Sequence, residues 1–115
     1  MLKKINILGQ DYTIIEDTPT NNPKLENANG YIEPYSKKIV VDSTLPNRHL
    51  VDKAAAENLE VHLRHIYRHE ILHAFFEESG ISYQFEPEDE DFIVDWFAKQ
   101  FPKIRKIFDE LGVSE

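Results

Sequence analysis

Two histidines and a glutamate within five residues carry the most specific chemistry in this chain. In His69-Glu70-Ile71-Leu72-His73 the histidines stand four apart. On a helix they lie one above the other on a single face, and their ring nitrogens can converge on one ion. Glu70 follows the first histidine and is turned from it by about 100°. Its carboxylate therefore stands beside such an ion, where it can take a proton from a metal-activated water. Zinc suits the pair because it binds neutral imidazoles and lowers the pKa of a coordinated water to about 7, a range in which a carboxylate serves as general base. The motif is short, so its surroundings must support it. Apolar Ile71 and Leu72 fill its variable positions and Ala74-Phe75-Phe76 follow, as in a helix that faces a core.

An ion held by two histidines needs a third protein ligand. The chain has no cysteine, which leaves His, Asp and Glu. His62 and His65 fall on nearly the same helical face as the motif histidines. His65, however, lies about 12 Å of rise from His73, more than two Zn–N bonds of about 2 Å can bridge. The third ligand must come from another element, and His62 and His65 read as structural or solvent-facing. His49, in a loop after Pro46, carries no signal. The acidic stretch "EPEDEDFIVD", residues 86–95, supplies better candidates. Asp91 and Asp95 are four apart on one face of a later helix, which also carries Phe92, Val94, Trp96 and Phe97 for docking against the motif helix. Asp91 could complete the coordination, and Asp95 could orient a ligating histidine through its other nitrogen. Glu90 is the alternative third ligand and Glu88 the next. The same acidic turn would also complement a helix dipole with no metal at all.

These residues must be positioned by the elements around them. "KKINILGQDYTIIED" alternates apolar and polar residues around Gly9-Gln10 and reads as a β-hairpin. "TPTNNPKLENAN" reads as a loop. "GYIEPYSKKIVVDS" offers two short β segments, Tyr31-Ile32 and Lys38 to Asp42, joined by a turn around Pro34-Tyr35-Ser36. The expected class is α+β: a small antiparallel sheet of three to four strands, then a long motif helix and one or two C-terminal helices. The motif helix should run from about Asp52 to a stop at Gly80, roughly 26 residues and about 40 Å. The next helix should end at Pro102, with "KIRKIFDELGV" forming one more.

Composition bounds the rest. With 115 residues, 41% of them hydrophobic, residues 1–115 are expected to form a single domain. The absence of cysteine excludes disulfides and favours a cytoplasmic protein. No apolar run approaches the roughly 18 residues of a membrane span. The N-terminus turns polar too early for a signal peptide, so the mature chain is expected to begin at Met1. A net charge of −8, from 13 Lys plus Arg against 21 Asp plus Glu, argues against a nucleic-acid partner. Oligomeric state is not set by the sequence.

"HEILHAFF" followed by "DFIVDWFA" resembles the small zincin-type metallopeptidases of the ImmA/IrrE-like and minimal gluzincin kind, especially short phage and prophage proteins. In that family His-Glu-x-x-His is followed, on a second helix, by an acidic ligand, three residues, an Asp or Asn, and then x-Phe-Ala. The resemblance implies zinc ligands at His69 and His73 and a catalytic base at Glu70. It puts the third ligand at Asp91, where the family usually has Glu, a supporting carboxylate at Asp95, and the trailing pair at Phe97-Ala98. It also implies that the strand before the motif helix, with Ile39, Val40 and Val41, is the edge to which a peptide substrate adds. The function expected is a zinc-dependent peptidase of a protein or peptide substrate. The alternative is an inactive binding module on the same scaffold, its zinc structural or vestigial. A helical protein without metal, with Asp91 and Asp95 facing solvent, is a third reading. Tyr67, Arg68 and Tyr83 are candidate oxyanion donors without positional support.

Overall fold

The computed structural model describes residues 2–44 and 58–115. His49 and the expected helix start at Asp52 lie outside the described residues. Strand β1 (Leu2–Ile7) and strand β2 (Gln10–Asp17) form the expected antiparallel hairpin, with Ile5 opposite Tyr12 and Ile7 opposite Gln10. The chain reverses through Leu8 and Gly9, both at positive φ, the backbone that a two-residue turn between right-twisted strands requires. Asn6 braces the turn by accepting from the Gly9 amide at 3.0 Å and donating to Asp11 at 2.9 Å. A 3-10 turn at Pro23–Glu26 leads to strand β3 (Gly30–Glu33) and strand β4 (Lys38–Asp42).

The sheet is mixed, which corrects the antiparallel expectation. Its order is β1-β2-β4-β3, and β4 runs parallel to β2, with Ile14 beside Ile39 and Glu16 beside Val41. Ile39, Val40 and Val41 are therefore interior, and the expected substrate edge is not an edge. The reason is hydrophobic: three consecutive apolar residues present apolar groups to both faces, and a strand between two others buries both. Those three are 0–4% exposed. Among the described residues, β3 is the outermost strand on that side of the sheet.

Helix α1 (Leu59–Ser79) stops where the glycine predicted, with Gly80 in the left-handed conformation. It lies on one face of the sheet through Leu63, Ile66, Tyr67, Ile71 and Ala74, which meet Ile7, Tyr12, Ile14, Ile39 and Val41. Tyr67 donates to Glu16, and Glu78 is held by Tyr12 at 2.7 Å and by Lys37. Glu70 falls on this sheet-facing stripe, so the fold buries it.

Helix α2 (Pro87–Leu111) runs through Pro102 without a break, so the two expected C-terminal helices are one. A proline inside a helix leaves the carbonyl four residues back without its donor. Here that carbonyl is Ala98, and Arg68 of α1 supplies the missing hydrogen bond through Nε at 2.8 Å. The remedy comes from thirty residues away in the chain. The face of α2 turned to α1 is Asp91, Val94, Asp95 and Ala98, of which Val94 and Ala98 are wholly buried. Phe92 and Trp96, expected to dock there, lie about 100° round the helix and are exposed. No helix among the described residues is long and apolar enough to cross a membrane.

Candidate metal centre

Antiparallel packing of α1 and α2 sets one row of histidines against one row of carboxylates. His69 and His73 project from the shoulder of α1, between its sheet-facing stripe and α2. Their Nε2 atoms are 3.2 Å apart, and Asp91 Oδ1 lies 3.1 Å from the first and 3.2 Å from the second. Donors around a tetrahedral zinc ion with bonds of about 2.0–2.1 Å stand about 3.3–3.4 Å from one another. The observed triangle matches that spacing.

The other ring nitrogens strengthen the match. His69 Nδ1 is 3.2 Å from Asp95 Oδ1, and His73 Nδ1 is 2.6 Å from Glu90 Oε2. With each carboxylate accepting a hydrogen bond from Nδ1–H, the Nε2 lone pairs are directed at each other and at Asp91. Three electron-rich atoms at this separation repel unless a cation lies among them, so the donor set fits a metal. His69 is also held in its neutral, ligating form: burial lowers its pKa, the charge of His73 lowers it further, and Asp91 and Asp95 only partly oppose them.

The structure brings Asp91 to the Nε2 side and Glu90 to the far side of His73, so of the two candidate third ligands the geometry favours Asp91. Glu88 is exposed on the first turn of α2 and lines no described cavity. Glu70 also lies within 4.8 Å of both histidines as a possible ligand. Its Oε2 is 4.0 Å from His69 Nε2, too long for a neighbouring donor on the same tetrahedral ion. Glu70 therefore stands beside the triangle, where it could act on a molecule bound there and not as one of its corners. Burial raises the Glu70 pKa to about 7, Asp91 adds to the rise, and His73 opposes it.

A groove of about 770 Å³ runs past this group, walled by β3 and the preceding Asn27-Ala28-Asn29 on one side and by α1 and α2 on the other. Gly30 is fitted to Glu70: a Cβ there would stand 2.8 Å from the Val40 carbonyl and 3.0 Å from Glu70 Cγ. The sequence reading missed this glycine, since only the fold brings it to the carboxylate. His65, read as structural or solvent-facing, meets Asp95 Oδ1 through Nε2 at 2.9 Å, and its spacing from His69 repeats that of the motif. His62 meets the Asn29 side chain at 3.3 Å.

Of the candidate oxyanion donors, Tyr67 is held by Glu16 and Arg68 by the Ala98 carbonyl. Tyr83 donates to Glu77 at 3.4 Å and lines a smaller cavity of about 360 Å³ whose wall also includes His73 and Asp91. Compared with known protein families, curated proteins and solved structures, the chain matches none.

Proposed function

We propose that this chain is a zinc-dependent peptidase. The observation that carries the reading is the convergence of His69 Nε2, His73 Nε2 and Asp91 Oδ1 at 3.1–3.2 Å, beside a buried glutamate on an open groove. Zinc held by those three atoms would supply a Lewis acid that activates water and polarises a peptide carbonyl.

The chain's own groups supply the rest. Glu70 takes the proton of the attacking water and passes it to the leaving amine. Its proton affinity near neutral pH suits both halves of that transfer. Asp95 and Glu90 fix the rings of His69 and His73 through Nδ1. On the groove wall, the edge of β3 turned away from β4 offers the backbone of Gly30–Glu33 for pairing with an extended peptide. Because backbone does that work, a range of side chains can be accepted.

The test is cleavage of an unstructured peptide mixture, read by mass spectrometry, by wild type and Glu70→Gln at equal zinc content. Wild type should cut, and the variant should be slower by about 10²–10⁴, the usual worth of a general base. Zinc-loaded wild type that cuts nothing would replace this reading with the binding module.

A further inference from the structure

The metal-binding pattern of α1 and α2 occurs twice in register. His69 and His73 are four apart and face Asp91. His65 and His69 are four apart and face Asp95, which is four from Asp91. The second set of residues is the first moved along by about one helical turn, roughly 6 Å, with the difference that His69 faces Asp95 through Nδ1 and Asp91 through Nε2. Two of its edges are as short: His65 Nε2 to Asp95 Oδ1 is 2.9 Å, and His69 Nδ1 to the same oxygen is 3.2 Å, while the His65 and His69 rings stand wider, with centroids 6.3 Å apart against 4.8 Å for His69 and His73. His65, His69 and Asp95 can each offer one ligating atom within 4.8 Å of the other two. All three residues line the wide groove, which leaves solvent room to complete a coordination shell. Lys99 occupies only the other oxygen of Asp95, at 3.2 Å, and is itself 62% exposed.

We propose that His65 Nε2, His69 Nδ1 and Asp95 Oδ1 form a second site for a divalent transition ion such as zinc, coupled to the first through the ring of His69. The inference depends on the proposed peptidase site only through that shared ring. Proton balance sets the coupling. To ligate through Nε2, His65 moves its proton to Nδ1. With both sites filled, His69 is bridged through both nitrogens and must release its Nδ1 proton to solvent. Two dications joined through one imidazole stand about 6 Å apart, and their repulsion across water alone weakens the second by roughly a hundredfold. The second site therefore fills at excess metal, or when the first is disabled.

The experiment is calorimetric titration of chelator-treated protein with Zn²⁺, folding being checked by circular dichroism. Wild type should take one equivalent tightly and a second more weakly by about a hundredfold or more, with extra proton release on the second and a gap that narrows as pH rises. His65→Ala and Asp95→Asn should lose the weak equivalent. His73→Ala should still take one equivalent, and His65→Ala/His73→Ala none. His73→Gln, which keeps a donor for Glu90, serves should alanine unfold the protein. No uptake by His73→Ala, together with one equivalent in His65→Ala, overturns the second site and leaves the first standing. Uptake by His73→Ala with none by His65→Ala supports the second site and removes the first.

Discussion

Replacing Glu70 with glutamine should stabilise the metal-free protein by an amount that grows with pH. Glu70 is 6% exposed, and burial lifts its pKa from 4.5 to about 7. Below pH 4.5 the folded and unfolded chains both carry the proton, and the group confers no pH dependence. Between 4.5 and 7 the unfolded chain gives up its proton first, so stability falls as pH rises. Above 7 the full loss, about 3 kcal/mol, is in place. Glutamine has no such proton. The stability difference between Glu70→Gln and wild type should therefore widen by about 3 kcal/mol from pH 4.5 to pH 8. Urea denaturation in the presence of a chelator, at four or five pH values across that range, measures it. Bound zinc should flatten the dependence, because a nearby dication holds the carboxylate ionised. A difference that stays constant with pH in the metal-free protein would refute the argument, since Glu70 would then be as well solvated folded as unfolded.

Other perturbations read other parts of the account. Gly30→Ala forces a Cβ against the Val40 carbonyl and Glu70; a loss of about 1–3 kcal/mol is expected, with peptide cleavage falling more than zinc affinity. Glu90→Gln weakens the hold on His73 Nδ1, and zinc affinity measured by chelator competition should drop about 10- to 100-fold. Arg68→Met should cost about 1–3 kcal/mol by leaving the Ala98 carbonyl without a donor. Adding Pro102→Ala restores a backbone N–H for that carbonyl, so thermal melting of the double variant should recover much of the loss.

The elements that bear the site were legible because each announces itself locally. Gly80 marks the end of α1, the alternation around Gly9 marks the hairpin, and the four-residue spacings 69/73 and 91/95 put chemistry on single helical faces. The sheet order was not legible in the same way. A parallel pairing between β2 and β4 joins residues about 25 apart, and local period carries no information about which strands become neighbours. One clue was present, since Ile39-Val40-Val41 is too continuously apolar for an edge. Pro102 misled for a related reason: its disruptive effect is local, while Arg68, which offsets it, lies on another helix. Gly30 shows no more than a turn residue until the fold brings Glu70 against it. The aromatic residues of α2 also misled, because the helix docks through small Val94 and Ala98, which let the two carboxylates approach the histidines.

The proposed centre holds one zinc ion between His69, His73 and Asp91, beside Glu70. The most direct measurement is an anomalous difference map at the zinc edge from crystals grown with one equivalent of Zn²⁺. A single strong peak is expected about 2 Å from His69 Nε2, His73 Nε2 and an Asp91 oxygen, with no protein atom other than those three at that distance. A peak ligated by Glu70 or Glu90, or no peak between the two histidines, would contradict it.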